Sequence, residues 1–338
     1  MTQDEGGALA LSEDELIARY FAPIAGPAGL GLGDDAALLT PPQGAMLVLT
    51  KDMLVAGVHF FADDPPAAIA RKALRVNLSD LAAKGAEPLG FLLGLALPGA
   101  PDEAFLESFA QGLGEDALRY ACPLLGGDTV ATPGPLTVSI TAFGAATGGG
   151  MVRRGAVVAG DALFVSGTIG DAALGLRLRL RAPRDLPWIE ALGQADADFL
   201  MERYLLPQPR LALCAALREH GRAAMDVSDG LAGDLRKMLR LTGLSADVAV
   251  ADVPLSAPAR RALALEPGLI EAALGGGDDY EILCAAAPDA AEALVGRATQ
   301  SRVPLARIGV ARAGGGPPRF LDGAGRALEL GRASWDHF

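Results

Sequence analysis

Aspartates recur beside glycine or a small hydroxyl residue at the ends of apolar segments: Gly33-Asp34-Asp35, Thr50-Lys51-Asp52, Gly126-Gly127-Asp128-Thr129, Asp226-Val227-Ser228-Asp229-Gly230 and Gly276-Gly277-Asp278-Asp279. Asp80 adds a carboxylate on a helical segment, where Asn77, Asp80 and Lys84 fall on one face at i, i+3 and i+7. One such motif is ordinary turn or N-cap chemistry. Their repetition in one chain points elsewhere. Loops after strands are where α/β folds place ligands, and carboxylates drawn together there repel unless a cation neutralises them. Mg²⁺ is a hard ion that takes carboxylate, hydroxyl and carbonyl oxygen and accompanies phosphates, so the pattern predicts a multi-magnesium nucleotide site.

Two nucleotide signatures are decoys or missing. Gly31-Leu32-Gly33-Asp34-Asp35-Ala36 fits GxGxxA, with Asp52 downstream, but that fingerprint needs a helix after the glycines and Pro41-Pro42 stops one within a few residues. No GxxxxGK[ST] is present, so metals and a different glycine segment must hold any triphosphate. Gly167-Thr168-Ile169-Gly170-Asp171 follows a strand and opens a helix; it reads either as an anion cradle of backbone N–H groups or as a plain strand-to-helix turn. Arg153 reads as a nucleotide contact or an exposed salt-bridging residue. From residues alone, His59 is a packed or surface histidine and Trp335 a stacking platform or a C-terminal anchor.

The elements that must position these residues alternate in type. Ser12 and Glu15 have capping-box spacing for a helix to about Phe21. Gly26 to Gly33 reads as a loop, Ala36–Leu39 and Met46–Thr50 as short strands, and Asp64 as the cap of a helix ending at Gly85. A strand over Gly90–Leu97, a helix over Asp102–Tyr120, a Gly126-Gly127-Asp128 loop and a strand over Leu136–Ala145 follow. The Gly-rich stretch near 148–160 reads as a junction between residues 1–148 and 149–338. Beyond it, strands are expected at Ala162–Ser166, Ala223–Val227, Asp247–Val250, Tyr280–Ala285 and Ala306–Val310. Helices are expected at Asp171–Arg181, Pro209–His220, Gly230–Leu241 and Ala290–Thr299. The class is α+β (mixed α/β), in two domains.

Composition narrows the partners. The 338 residues carry 29 basic and 41 acidic side chains, a formal charge of −12, which argues against a nucleic-acid surface. Mean hydropathy is +0.29, but the longest charge-free stretch, Thr129–Val152, contains Pro133, Pro135 and a triple glycine, so no membrane span is expected. The start of the chain has no basic segment leading into an apolar one, and Cys122, Cys214 and Cys284 are far apart without a CxxC. Reduced, buried thiols in a cytoplasmic protein are expected.

These motifs, in this order and over nearly the whole chain, resemble the thiamine-monophosphate kinase family of the aminoimidazole-ribonucleotide-synthetase-like ATP-binding superfamily. The resemblance rests on Gly31–Ala36, Thr50–Phe60, Asn77–Ala86, Gly126–Thr129, Arg153–Asp161, Asp226–Leu231, Gly276–Glu281 and the ending Trp335-Asp336-His337-Phe338. It implies an N-terminal sheet domain that binds ATP and Mg²⁺ and forms a homodimer. It also implies a C-terminal α+β domain that completes the cleft. The implied reaction is ATP-dependent phosphorylation of thiamine monophosphate to thiamine diphosphate, the last step of that cofactor's biosynthesis, with no nucleic-acid or membrane partner. Carried over motif by motif, Asp34, Thr50, Lys51, Asp52, Asp80, Asp128, Asp226 and Asp229 would hold several Mg²⁺ ions. Asp80, Asp128 and Asp229 would be the catalytic set. Gly127, Asp128, Arg153 and Ser228 would contact ATP, and His59, Asp278 and Trp335 the thiamine phosphate. Lys51 stands where the family usually has a second hydroxyl residue, so its implied ligand is its backbone. Asp278 stands where the family commonly has Glu.

The acceptor is a phosphate monoester whose second pKa is near ~6, already largely ionised at neutral pH. Direct in-line transfer therefore needs alignment and charge neutralisation more than a strong base. Rival readings are a selenophosphate synthetase, which would show a reactive Cys near the N-terminus where residues 1–33 have none, an aminoimidazole-ribonucleotide synthetase, a non-catalytic nucleotide sensor, and a pyrophosphate-bond hydrolase.

Overall fold

A computed structural model describes residues 12–99, 102–148, 150–331 and 334. The chain forms two compact units, one from Met1–Asn77 with Pro88–Ala145 and the other from Leu78–Glu87 with Ala146–Phe338. The division passes through a single helix.

In the first unit, helix α1 (Glu13–Leu16) opens with the expected capping box: the Glu15 N–H donates to Ser12 Oγ at 3.3 Å and the Ser12 N–H to Glu15 Oε2 at 2.9 Å. It is shorter than expected, because residues 17–21 continue in a wider π-type turn. Strands β1 (Met46–Val55), β2 (Glu87–Pro98), β3 (Leu124–Thr132) and β4 (Thr137–Ala146) form a four-stranded sheet in the order β1-β4-β2-β3. β2 and β3 run parallel, with Gly94 opposite Asp128. Period-two alternation gives this sheet a buried face, carrying Val48, Leu54, Phe91, Leu95 and Ile140, and an open one. Leu47, Leu49 and Met53 lie exposed along the open side of β1.

Helix α3 (Glu103–Arg119) belongs here, as do residues 66–77 of α2 (Pro66–Ala83), whose last turns lie in the second unit. They are joined by a fully buried bidentate pair, Arg75 Nε to Asp116 Oδ2 at 2.5 Å and the second nitrogen to Oδ1 at 3.0 Å. Three expectations fail in this unit. Gly26–Gly33 is not a plain loop, since Pro27–Leu32 forms 3-10 turns. Ala36–Leu39 is irregular rather than a strand, since Pro41-Pro42 follows it and offers no N–H to continue a ladder. The Gly126-Gly127-Asp128 segment is inside β3 rather than in a loop. Glycines there read as a turn signal, but they serve close strand packing: a Cβ on Gly127 would stand 1.9 Å from the Leu93 carbonyl oxygen.

The second unit is built on a six-stranded sheet, in the order β10-β7-β9-β5-β8-β6. Its strands are β5 (Ala162–Ser166), β6 (Ala223–Asp226), β7 (Ser245–Ala249), β8 (Ile282–Ala286), β9 (Leu305–Arg312) and β10 (Arg319–Leu321). Every residue of β5, β6 and β8 is buried, so these strands read as unbroken apolar runs. On one face Leu163 and Val165 pack with Met225 and with helix α8 (Leu231–Arg240); on the other, Phe164 packs with Leu217 of α7 (Cys214–His220) and Leu294 of α11 (Ala291–Gln300). A separate apolar cluster around Leu174, Trp188 and Leu200 joins α4 (Asp171–Leu180), α5 (Leu186–Ala191), α6 (Gln194–Leu205) and α9 (Ala257–Leu265); α10 spans Leu269–Gly275. Sequence reading missed α5, α6, α9 and α10, which at six to twelve residues are too short for a helical period to stand out. Burial pushes all three cysteine thiols up to about 12. Among the described residues no helix is long and apolar enough to cross a membrane.

Candidate functional site

In the first unit, a cavity of about 790 Å³ is walled by Phe21, Asp34, Asp35, Lys51, Gly127 and Asp128, with apolar and small polar residues of the sheet completing it. Four of the residues singled out from sequence thus share one space: Asp34, Lys51, Gly127 and Asp128. The Asp35 N–H donates to Asp34 Oδ1 at 2.7 Å, fixing the acidic turn. Thr50 and Asp52 flank Lys51 in β1, and strand alternation sends their side chains to the opposite face. There the Asp52 N–H donates to Asn77 Oδ1 at 3.1 Å, while Asn77 Nδ2 donates to the Ala73 carbonyl at 3.0 Å. Asn77 is completely buried, so it ties β1 to α2. His59 is half-buried and accepts the Val55 N–H on Nδ1 at 3.0 Å, which leaves the ring proton on Nε2.

In the second unit two acidic segments lie side by side. The Val227 N–H donates to the Glu281 carbonyl at 2.8 Å, the Tyr280 N–H to the Val227 carbonyl at 2.8 Å, and the Asp278 N–H to the Ser228 carbonyl at 2.9 Å. The approach is so close that a Cβ on Gly277 would stand 2.2 Å from Ser228 O. Asp278 and Tyr280 pay for it in backbone conformation, with φ of +73° and +50°. Ser79 Oγ donates to the Tyr280 carbonyl at 3.3 Å, which sets Asp80 beside the same pair of segments. Lys84 Nζ donates to the Ala224 carbonyl at 2.7 Å. Burial, then the Arg154 charge, lowers the Lys84 pKa, against the opposing pull of Asp226 and Asp80. Asp80 and Asp226 are therefore near enough to one ammonium to act on it together. Arg153 is exposed, beside that same Arg154.

Asp229 is held by a lysine that sequence reading passed over. Lys237 Nζ bonds Asp229 Oδ2 and also Asp234 Oδ1, the latter at 2.9 Å, and the Asp229 N–H donates to Asp234 Oδ2 at 2.9 Å. Burial raises the Asp234 pKa against the pull of Lys237. Burial alone would lower that of Lys237, but its bonds and charges with Asp229 and Asp234 raise it overall. The i, i+3 spacing of Asp234 and Lys237 was the available signal.

The possible anion cradle at Gly167–Asp171 is filled from within. Asp279 is buried and accepts the Gly170 N–H on Oδ2 at 2.7 Å and the Ala172 N–H on Oδ1 at 3.3 Å. The acceptor at this helix start is thus the protein's own Asp279 carboxyl group, whose pKa burial pushes well above the usual carboxylate range against the pull of the Gly170 N–H. Glu281, also fully buried, accepts from Ser166 Oγ at 2.6 Å, Arg203 at 2.9 Å and Arg210 Nε at 2.7 Å. Asp279 and Glu281 belong to the Gly276–Glu281 motif, yet neither was given a role; their buried partners come from α4, α6 and the approach to α7, too distant in sequence to be foreseen. Among the described residues no three His, Cys, Asp or Glu side chains converge closely enough to hold one metal ion. Trp335 lies outside the described residues.

Sequence models of the AIR synthase related protein match the chain twice, the N-terminal domain at residues 33–146 and the C-terminal domain at 158–320. A thiamine-monophosphate kinase of Caulobacter vibrioides is 42% identical over 332 residues, covering 96% of this chain and 91% of its own. Among solved structures, the thiamine-monophosphate kinase of Stenotrophomonas maltophilia K279a matches with a TM-score of 0.77 at 40% identity, covering 88% of this chain and 91% of that one. AaThiL complexed with AMPPCP and TMP matches with a TM-score of 0.75 at 28% identity, covering 90% and 91%.

Proposed function

The chain belongs to the thiamine-monophosphate kinase family, built from paired N- and C-terminal AIR synthase related domains, and from that premise we propose that it transfers the γ-phosphate of ATP to thiamine monophosphate, giving thiamine diphosphate. The observation that carries the reading is the match to AaThiL in complex with AMPPCP and TMP, an ATP analogue and the acceptor. Residues 1–148 are assigned nucleotide and metal binding together with dimer formation, and residues 149–338 the remainder of the site.

The donor set suits Mg²⁺. Asp34, Thr50, Asp52, Asp80, Asp128, Asp226 and Asp229, with the Lys51 backbone, offer only hard oxygen ligands. When bound, Mg²⁺ neutralises phosphate charge and orients the oxygens of an in-line displacement. ATP contacts are assigned to Gly127, Asp128, Arg153 and Ser228. His59, Asp278 and Trp335 are assigned to the acceptor, where an indole can stack on the thiazolium cation. No side chain is needed to deprotonate an ionised monoester. Asp80, Asp128 and Asp229 form the catalytic set through their hold on the metal.

The test is ADP release by the purified protein with ATP and Mg²⁺, with and without thiamine monophosphate. Turnover is expected only with all three. Its absence, or phosphate release indifferent to the acceptor, rejects the assignment. A cytoplasmic homodimer is part of the same reading, carried over from the family resemblance. Sedimentation equilibrium should give twice the chain mass; a monomeric wild type would contradict the dimer alone.

A further inference from the structure

The cavity of the first unit has an uneven charge. Among the described residues lining it, Glu13, Asp34, Asp35 and Asp128 are acidic and Lys51 alone is basic. Lys51 is exposed, and its ammonium makes no hydrogen bond or ion pair with the described residues. Its neighbours on the same side of β1 are Leu49 and Met53, both exposed, so the aliphatic stem lies along apolar surface with the ammonium at its end. At the other edge of the sheet, β3 contributes Gly127 and Asp128 to the same lining.

The geometry points to a specific role for Lys51: its ammonium binds the phosphate chain of the nucleotide within this cavity, supplying a fixed positive charge that a divalent ion would otherwise have to bring. The inference rests on the kinase reading and goes beyond it, because the Lys51 assignment there concerns its backbone alone. The physical argument is one of sign. A polyphosphate entering a wall of four carboxylates is repelled by each of them, and every resident cation lowers that barrier. Lysine is a compact point charge with three rotatable donors, suited to phosphate oxygens whose positions shift during transfer. The alternative is that Lys51 only quiets the carboxylates around it. The two roles predict opposite effects when the charge is removed. A phosphate ligand lost weakens nucleotide binding most when Mg²⁺ is scarce. A mere counter-ion lost frees Asp34, Asp35 and Asp128 for Mg²⁺ and tightens it.

The experiment is calorimetric titration of AMPPCP into the full-length wild type, Lys51→Arg and Lys51→Thr, from saturating Mg²⁺ down to the lowest Mg²⁺ at which the wild type still binds. At that lower limit Lys51→Thr is expected to weaken binding about tenfold or more, the loss of one charged hydrogen bond. At saturating Mg²⁺ its loss should shrink to within about threefold, and Lys51→Arg should track the wild type at both ends. Unchanged or tighter binding by Lys51→Thr at low Mg²⁺ overturns the proposal while leaving the kinase reading intact. Failure of the wild type to bind AMPPCP even at saturating Mg²⁺ overturns the kinase reading, and this proposal with it. Because residue 51 is exposed on a strand, where threonine is favoured, both variants should fold, as their circular dichroism will show.

Discussion

Asp80→Ala should lower acceptor-dependent ADP release by about 10³ or more, since stabilisation of charge in a metal-assisted transfer is worth several kcal/mol. The protein should stay folded. Asp80 is on α2 and half-buried, and alanine is the strongest helix former. Its removal also takes one of two opposing carboxylates away from Lys84, leaving Asp226 to hold an ammonium that burial already disfavours. The Lys84 pKa should therefore fall further, a change readable by NMR of the ε-amine independently of turnover. Asp80→Asn keeps the shape and removes the charge, so it should lose activity to a similar degree. Wild-type turnover from a folded Asp80→Ala protein would remove Asp80 from the catalytic set.

What the sequence made legible was the set of carboxylates and the alternation of strands and helices that carries them. Motif order along the chain located Asp34, Lys51 and Asp128, and the structure brings these to one cavity. It equally located the two segments at Asp226–Gly230 and Gly276–Glu281, which pair through backbone bonds. Glycine misled where it had two meanings. At Gly126-Gly127 it signalled a turn, but the physical need was for a strand with no Cβ against Leu93. At Gly167–Gly170 it left an anion cradle and a plain strand-to-helix turn both open, and the group that takes the N–H there is Asp279, more than a hundred residues on. No local pattern announces such a partner. The same holds for Lys237, which looks like a solvated helix residue until α8 is seen to bring it onto Asp229. Spacing reveals which residues share an element, whereas charge pairing across elements depends on the packing that follows.

Glu281→Ala should be the most destabilising single substitution in the second unit, costing about 3–5 kcal/mol in urea unfolding. Glu281 has no exposed surface and takes donors from Ser166 Oγ, Arg203 and Arg210 at once. Alanine would leave two guanidinium groups facing one another with their carboxylate gone, Arg203 itself being buried, and the Ser166 hydroxyl without its acceptor. Ser166 Oγ also accepts the Ile282 N–H at 2.8 Å, so the disturbance reaches the start of β8. The consequence for function follows from adjacency. The strained turn at Asp278 and Tyr280 is clamped on one side by Val227 and Ser228 and on the other by the buried Asp279 and Glu281. Loosening the second side should raise KM for thiamine monophosphate more than KM for AMPPCP-competed ATP, because Asp278 is the residue assigned to the acceptor. Glu281→Gln retains one acceptor oxygen and the side-chain volume, so it should fall between wild type and alanine in stability and show the same KM split. A loss below about 1 kcal/mol for Glu281→Ala would mean that the arginines find other partners and that the clamp contributes little.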